Sequence, residues 1–319
     1  MKRTNRPKKN SMPLLGCVAT TMIAVAMTGN LFAQTEQKNF DPPSHTRVEN
    51  FPMNPKLPSL FIIGDSTVRN GRGKGDGGQW GWGDEIAPYF NTNKINVVNR
   101  ALGGTSSRTF YRDQWPHTLA LLKPGDFVIM QFGHNDASPV NESVLNSHAR
   151  SRGTIKGAGD ETESITNIIT KKFEVVHSFG WYEKQMIVEA REKGATPMVC
   201  SLIPRNTWRD GRVVLNKSNY AGWAGEAAKA ENAPFLDINE IIGREYDKLG
   251  EENVKPLFVV GAGPHTSLAG AETNAMCVVA ALKGLKHDAL ATYFSAKAKD
   301  VAPADLSQPE AGNPAKENK

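Results

Sequence analysis

Four short stretches of the sequence carry side chains that together could transfer an acyl group. In chain order they are Gly64-Asp65-Ser66-Thr67, the run 99–110 that contains Gly103-Gly104, Gly133-His134-Asn135-Asp136 and Pro264-His265-Thr266-Ser267. Acyl transfer by serine needs a hydroxyl, a base that accepts its proton, and donors aimed at the developing oxyanion. Ser66 can supply the hydroxyl and His265 the base. The backbone N–H groups of Ser66 and Gly104, with the Asn135 side chain, can supply the donors.

Each stretch taken singly has an ordinary structural interpretation. A Gly-Asp-Ser sequence is common in turns, paired glycines are typical of loops, and His134-Asn135-Asp136 could form a turn or a helix cap. A lone histidine is more often a hydrogen-bonded structural residue than a catalytic one. Catalysis is favoured by the order of the four stretches and by the strands that precede them.

Five short apolar runs predict strands. They lie at residues 59–63, 95–98, 127–132, 196–202 and 235–238. Each is mostly apolar, without a polar face, and is bounded by glycine, proline or polar residues, which is typical of strands that are buried on both faces. The first three chemistry-bearing stretches directly follow the first three runs.

Helical patterns separate or follow these runs. They lie at residues 84–90, 114–122, 181–193, 218–230, 241–249 and 268–285. Alternation of strands and helices predicts an α/β protein with a parallel sheet covered by helices on both faces. Sites in such sheets form outside the carboxyl ends of the strands. We therefore expect the first three stretches to converge at one edge. The polar segment 137–180 is too long for an ordinary connection, so we expect an insertion that borders this edge.

The four stretches, in this order and spacing, resemble the four blocks of the SGNH (GDSL-type) hydrolase superfamily. The resemblance covers residues 59–285. The run 103–110, Gln131-Phe132-Gly133-His134-Asn135-Asp136, and His265-Thr266-Ser267 with Gly270-Ala271-Glu272 resemble the rhamnogalacturonan acetylesterase branch. Residues 157–162 and 201–208 fit that branch too.

The resemblance implies a three-layer α/β/α sandwich with a flavodoxin-like five-stranded parallel sheet. It implies removal of acetyl groups from a polysaccharide, with rhamnogalacturonan or another pectin as the expected substrate, and no metal or organic cofactor. By position, Ser66 is the nucleophile and first oxyanion donor, Gly104 and Asn135 are the other donors, and His265 is the base. Acetylxylan and other acetylated polysaccharides are alternative substrates, since a shared fold does not fix the substrate.

One position departs from the family pattern. The family has an aspartate three residues before the catalytic histidine, and this chain has Ala262 there. That carboxylate normally holds the imidazole tautomer and stabilises the imidazolium, and its removal costs a factor of about 10⁴ in rate. Three explanations are open: a Ser–His dyad oriented by a backbone carbonyl, a carboxylate from elsewhere, or a weak or inactive enzyme. The last would make the chain an esterase-derived carbohydrate-binding protein.

Two further residues could contact the substrate. Arg108 suits a uronate carboxylate, and Trp208 suits the apolar face of a sugar. Each also has a structural interpretation, in which Arg108 forms a structural bridge and Trp208 anchors a loop.

Other enzyme classes fit less well. Gly73, Gly75 and Gly78 match the spacing of a dinucleotide fingerprint, but they come well after the strand end, and Asn99 ends the second strand in place of an acid. Asp65, His134, Asp136 and His265 could suggest a metallophosphatase, yet a two-metal site needs more ligands. No Gly-x-Ser-x-Gly elbow of an α/β-hydrolase is present.

The chain begins with a segment that predicts export. Five basic residues are followed by an apolar stretch at 14–27 and by Leu31-Phe32-Ala33, a plausible cleavage site. We predict a signal peptide at 1–33 and a periplasmic or secreted protein. A membrane anchor is the alternative, although the apolar stretch is short for a span. Without these five positive charges, the formal charge of +5 becomes about zero, which argues against a nucleic-acid partner.

The remaining chain divides into three predicted parts. Residues 34–57 are polar and proline-bearing and predict a linker. Residues 58–294 contain all the strands and helices and predict the hydrolase domain. Residues 295–319 lack periodicity and predict a disordered tail.

Overall fold

The computed structural model describes residues 53–70, 73–145, 149–305 and 313–314. All of them belong to one compact unit, Pro43–Lys319. The predicted signal peptide and residues 34–52 of the predicted linker lie outside the described residues. None of the helices in the described ranges is long and apolar enough to span a membrane.

A five-stranded parallel sheet forms the centre of the fold. Its strands are β1 (Ser59–Gly64), β2 (Asn96–Asn99), β3 (Phe127–Gln131), β6 (Thr196–Cys200) and β9 (Phe235–Leu236). They are arranged in the order β2-β1-β3-β6-β9, and every neighbouring pair is parallel. This order confirms the predicted flavodoxin-like α/β/α fold and places β1 and β3 side by side.

Side-chain alternation along the strands divides the interior into two cores. In β1, Leu60 and Ile62 face one core, whereas Phe61 and Ile63 face the other. All four side chains are fully buried. Because both faces are covered, the strand consists of an unbroken apolar run, as expected for a parallel sheet.

The helices form the two outer layers. They are α1 (Trp82–Glu85), α2 (Ser107–Asp113), α3 (Trp115–Leu119), α4 (Phe179–Glu192), α5 (Tyr220–Ala230), α6 (Ile238–Leu249), α7 (Glu251–Val254) and α8 (Leu268–Gly284). Apolar residues of α1, α6 and α8 pack in the first core, and those of α2, α4 and α5 pack in the second. Short 3₁₀ helices lie at Asp76–Gly78, Ala87–Tyr89, Lys255–Leu257, Ala291–Tyr293 and Lys297–Asp300.

Two helical details differ from the prediction. The predicted helix 84–90 is divided into α1 and the 3₁₀ turn Ala87–Tyr89, which contains a proline in its first turn. Helix α2 is absent from the prediction, because its polar start has the composition of a loop. The Ser106 side chain accepts a hydrogen bond from the Thr109 backbone, and the Thr109 hydroxyl accepts one from the Ser106 N–H. This capping box satisfies N–H groups at the helix start.

The segment 137–180 contains structure that the sequence did not reveal. Strands β4 (Thr162–Thr166) and β5 (Phe173–His177) pair as an antiparallel hairpin. Most side chains of these two strands are exposed. The strands therefore lack the alternation of apolar and polar residues that predicts a half-buried strand.

Arg108 fastens this insertion to the sheet domain. Its fully buried side chain donates two hydrogen bonds to the Glu174 carboxylate, at 2.7 and 2.6 Å. It also donates to the carbonyl oxygens of Val140 and Gly153, at 2.8 and 2.7 Å. All of these acceptors belong to the insertion.

Three further strands lie outside the central sheet. Strands β7 (Trp208–Arg209) and β8 (Arg212–Leu215) form a second antiparallel pair, and β10 (Asn313–Pro314) pairs with β8 in parallel. The chain continues to pack on the domain beyond the predicted end at residue 294. Ser295 donates its backbone N–H to the Tyr89 carbonyl, and Ala298 and Val301 are buried. The predicted tail begins too early because these apolar residues are isolated among polar ones.

Replacing Arg108 with methionine should destabilise the domain, because the Glu174 carboxylate would lose its buried partner. We expect the free energy of unfolding to fall by about 3–5 kcal/mol, as for other broken buried ion pairs. Urea denaturation followed by circular dichroism measures this. Lys184→Met is the matched control, since its partner Asp160 is exposed and the expected loss is below about 1 kcal/mol. Equal losses in the two variants would contradict the anchoring role.

Candidate active site

Ser66 follows directly after β1, in a tight turn. The Asp65 side chain accepts hydrogen bonds from the backbone N–H and the hydroxyl of Thr67, at 2.8 and 2.7 Å. The Asp65 carbonyl accepts from the N–H groups of Val68 and Arg69, both at 3.1 Å. These bonds hold one helical turn at the carboxyl edge of the sheet, with Ser66 at its start.

A buried chain of hydrogen bonds lies beneath this turn. The Thr67 hydroxyl accepts a hydrogen bond from the Gln131 amide at 2.7 Å, and the Gln131 oxygen accepts one from the Trp82 indole at 2.8 Å. The chain links the Ser66 turn to the end of β3 and to α1. Since buried polar groups are costly when unpaired, this arrangement favours one conformation of the turn.

His265 lies against Ser66 although the two residues are 199 positions apart. The Ser66 Oγ and His265 Nε2 atoms are separated by 2.8 Å, which is a hydrogen bond. The loop that carries the histidine is closed by a hydrogen bond from the Val259 N–H to the His265 carbonyl, at 3.0 Å.

Residues 80–83, which we call the bridging segment, connect the serine turn to the histidine loop. The Trp82 N–H donates to the Thr67 carbonyl at 3.1 Å. The Trp80 N–H donates to the Thr266 carbonyl at 2.9 Å, and the Thr266 hydroxyl donates to the Trp80 carbonyl at 2.8 Å. A Cβ atom on Gly81 would stand only 2.2 Å from the backbone of Val68. Only glycine therefore allows this close approach.

Gly104 lies in the loop that follows β2. The Leu102 N–H donates to the Gly64 carbonyl at 3.0 Å, which draws this loop towards the end of β1. Gly104 has a φ of +86°, in the region that favours glycine. Its carbonyl accepts a hydrogen bond from the Arg152 guanidinium at 2.7 Å. These two contacts hold the loop around Gly104 at the end of β1.

Asn135 is positioned by its neighbour Asp136. The buried Asp136 carboxylate accepts from the backbone and hydroxyl of Ser107, at 3.0 and 2.5 Å, and from the Gly133 N–H at 3.0 Å. The Asn135 amide donates one hydrogen bond to the Thr105 carbonyl at 2.8 Å. An amide group carries two donor hydrogens, so one is available for an oxyanion.

No carboxylate of the described residues pairs with the His265 imidazole. The Ala262 carbonyl accepts the His265 backbone N–H at 3.4 Å, and its proximity to the imidazole favours the protonated ring and raises the pKa of His265. If His265 is the base, Nε2 must accept the Ser66 proton, and the neutral ring then carries its proton on Nδ1. The described residues at this position therefore form a Ser–His dyad.

Burial sets the protonation of the neighbouring groups. It lowers the pKa of His265, the Arg205 guanidinium lowers it further, and the Ala262 carbonyl opposes both. Burial and Arg205 also lower the pKa of His134 to about 3. Burial raises the pKa of Asp65 to about 6 and that of Asp136 to about 7, against their hydrogen bonds. Both histidines are therefore neutral near pH 7.

A cleft of about 480 Å³ opens above Ser66 and His265. Gly104 and Asn135 line it, so the structure brings together all four residues that the sequence proposed for the reaction. Arg69 and Arg152 also line it, and sequence reasoning missed both. Arg152 comes from the insertion, which therefore borders the site as expected. Nothing in the local sequence distinguishes these arginines from ordinary surface residues.

The two proposed substrate-contacting residues lie elsewhere. Arg108 is fully buried against Glu174 and does not line the cleft. Trp208 packs partly buried against the first core, and its indole donates to the Asn206 side chain at 2.7 Å. Their structural interpretations fit these positions. In the described part of the chain, no three His, Cys, Asp or Glu side chains lie together as a metal-binding group would require.

A flavodoxin-like sheet with a Ser–His pair at its carboxyl edge is the architecture of a serine hydrolase. Residues 62–271 match the GDSL-like Lipase/Acylhydrolase family. The match covers more than half of the chain, so the protein belongs to this family, as the sequence motifs indicated, and it is a carboxylic ester hydrolase.

Curated relatives have narrower names. The chain is 29% identical, over 68% of its length and 81% of the relative's, to a rhamnogalacturonan acetylesterase of Emericella nidulans. It is also 29% identical, over 71% of its length and 93% of the relative's, to a probable rhamnogalacturonan acetylesterase of Bacillus subtilis, YesY.

The fold is shared with a solved structure. The crystal structure of the protein YxiM from Bacillus subtilis superimposes with a TM-score of 0.56 at 24% identity. The match covers 72% of this chain and 56% of that one. At this identity the similarity concerns the fold.

The pH dependence of ester hydrolysis should reflect the lowered pKa of His265. The base must be neutral, so kcat/KM should fall as the pH drops through the pKa of His265 in the folded protein. We expect the acidic midpoint for p-nitrophenyl acetate below 6.5, the usual value for histidine. A neutral ester is used because it does not titrate itself. A midpoint above 6.5 would contradict this assignment of the base.

Proposed function

We propose that this protein removes acetyl groups from an acetylated polysaccharide, with rhamnogalacturonan-type pectin as the substrate. The observation that carries the proposal is the 2.8 Å contact between Ser66 Oγ and His265 Nε2, inside a cleft that Gly104 and Asn135 also line. A positioned hydroxyl, its base and two donor groups are the parts that acyl transfer requires.

In the first half of the reaction, Ser66 Oγ attacks the acetyl carbonyl while His265 Nε2 accepts the hydroxyl proton. The negative charge that develops on the carbonyl oxygen is stabilised by the N–H groups of Ser66 and Gly104 and by the Asn135 amide. When the tetrahedral intermediate collapses, the bond to the sugar oxygen breaks, and His265 returns the proton to that oxygen. The acetyl group is then held on Ser66.

In the second half, water replaces the sugar. His265 accepts a proton from the water as its oxygen attacks the acetyl-serine carbonyl, and the same donors stabilise the oxyanion. Collapse of this intermediate releases acetate and returns the proton to Ser66. The Ala262 carbonyl favours the protonated imidazole in both halves, and because it is uncharged it stabilises the imidazolium less than a carboxylate would.

The charge of the cleft supports an acidic polysaccharide. Arg69 and Arg152 line it, and Asp76 is the one acidic residue among its lining residues in the described part of the chain. Guanidinium groups suit the carboxylates of uronate residues. The names of the two rhamnogalacturonan acetylesterase relatives support the same substrate class.

We also propose that the protein acts in the periplasm or outside the cell. The basic and apolar character of residues 1–33 supports this location. Polymeric pectin is itself an extracellular substrate. Mass measurement of the protein recovered from the producing cells should show a mature N-terminus near residue 34.

Replacement of Ser66 by alanine should abolish acetate release. We expect wild-type protein to release acetate from acetylated rhamnogalacturonan faster than from acetylated homogalacturonan or acetylxylan, with Ser66→Ala near the uncatalysed rate. Ser59→Ala is the matched control, since Ser59 lies at the start of β1, at the opposite end of the strand from the site. Acetate is quantified after incubation with each polysaccharide.

Three outcomes would contradict all or part of the proposal. Equal release by wild type and Ser66→Ala would exclude serine catalysis, and binding of the polysaccharide without release would favour the carbohydrate-binding alternative. Release from acetylxylan alone would retain the esterase and reject the pectin substrate.

Introducing the absent acid should strengthen the base. An aspartate at position 262 would stabilise the imidazolium, so Ala262→Asp should raise kcat for p-nitrophenyl acetate or leave it unchanged, and should move the acidic midpoint to higher pH. Ala262→Asn is the uncharged control of similar size and should move the midpoint less. A large fall in kcat with Asp alone would show that another group already serves this position.

A further inference from the structure

Arg205 is a cation beside the proposed base. It follows β6 and the buried residues Leu202, Ile203 and Pro204, and its own side chain is exposed. Its Nη1 atom lies 3.8 Å from the point that a Cβ atom on Gly263 would occupy. Gly263 stands between Ala262 and His265, so Arg205 borders the loop in which the family acid is replaced.

No carboxylate in the described part of the chain forms an ion pair with the Arg205 guanidinium. Its side chain makes no hydrogen bond or ion pair with another described residue, and the acid that influences its pKa is the buried Asp65. The Asp65 carboxylate is itself engaged by Thr67. Arg205 is therefore an exposed cation that is available to a ligand.

The positive charge of Arg205 disfavours protonation of His265. Arg205 and His134 interact electrostatically with the imidazole, and the Ser66 hydroxyl lies at Nε2. Three further charged groups, Arg69, Asp76 and Arg152, line the same cleft. His134 is neutral near pH 7, so of Arg205 and His134 only Arg205 carries a charge. A positive charge beside a base disfavours its protonated form, which is the form that must be stabilised when Ser66 attacks. A bound anion would remove this penalty.

We propose that Arg205 binds a uronate carboxylate of the substrate beside His265, so that the polysaccharide itself supplies the negative charge that Ala262 cannot. This rests on the proposed function, and it assigns to Arg205 both substrate selection and activation of the base. Arginine suits the first role because its planar fork can donate two parallel hydrogen bonds to a carboxylate. The second role follows because the neutralised guanidinium no longer repels the imidazolium.

The proposal predicts that loss of Arg205 impairs hydrolysis of acidic substrates and does not impair hydrolysis of neutral ones. In Arg205→Gln, kcat/KM for an acetylated oligogalacturonate should fall by about tenfold, since a hydrogen-bonded charged contact is lost. For p-nitrophenyl acetate, which carries no carboxylate, kcat/KM should stay unchanged or rise. Arg209→Gln is the matched control, because Arg209 is exposed on the neighbouring strand β7 and should leave both values unchanged.

Two further readouts separate this role from a merely structural one. Removing the positive charge should move the acidic midpoint of kcat/KM for p-nitrophenyl acetate to higher pH in Arg205→Gln, and Arg205→Lys should retain the wild-type midpoint. The proposed contact between Arg205 and the carboxylate is exposed to solvent. The ratio of wild-type kcat/KM for the oligogalacturonate to that for p-nitrophenyl acetate should therefore fall as the salt concentration rises.

Equal losses on both substrates, or no loss on the oligogalacturonate, would overturn the proposal while the enzyme remained an esterase. An unchanged midpoint in Arg205→Gln would overturn the activating role. Failure of the proposed function is recognised separately, because wild type would then hydrolyse neither substrate faster than Ser66→Ala. Circular dichroism of each variant verifies folding, and Arg205→Lys, which keeps the charge, tests the proposal independently if Arg205→Gln does not fold.

Discussion

The hydrogen bond between Ser66 and His265 is the interaction on which the arrangement of the site depends. It joins the end of the first strand to a loop 199 residues further along the chain. The bridging segment, residues 80–83, makes this possible by bonding to the serine turn on one side and to Thr266 on the other. The close approach at Gly81 and the buried Thr67–Gln131–Trp82 chain leave the two partners little freedom. The pair is thereby preorganised before any substrate arrives.

The oxyanion donors Gly104 and Asn135 lie in loops that follow β2 and β3, the two strands on either side of β1. The loop after β2 is drawn to the end of β1, and the Gly104 peptide is held by Arg152 from the insertion. Asp136 ties the turn after β3 to the start of α2. Asn135 donates one amide hydrogen to the Thr105 carbonyl, and its second amide hydrogen is available for the oxyanion. Burial keeps the histidines neutral, so the base is ready to accept a proton near pH 7.

The arginines illustrate how one residue type serves different ends. Arg108 is enclosed by Glu174 and two carbonyl groups, and it holds the insertion in place. Arg152 links that insertion to the oxyanion loop, whereas Arg205 stands exposed beside the histidine. The absence of an acid at Ala262 gives Arg205 its importance, because no charge within the histidine loop offsets it. Acidic substrates would then be favoured both in binding and in the chemical step.

The sequence by itself determined the class of fold and the four residues that meet at the site. Continuous apolar runs can be buried only in a two-sided sheet, and parallel strands deliver the loops at their carboxyl ends to one edge. Residues 66, 104 and 135 follow such strands, and the resemblance to the SGNH hydrolase blocks assigned their roles and added His265. The sequence also revealed that the acid was replaced at 262. Only the tertiary structure decided that Arg108 is buried, that Arg152 lines the cleft, and that Arg205 lies beside the histidine loop. These facts depend on contacts between distant segments, and a guanidinium has the same local pattern whether it pairs with a carboxylate or faces a cleft.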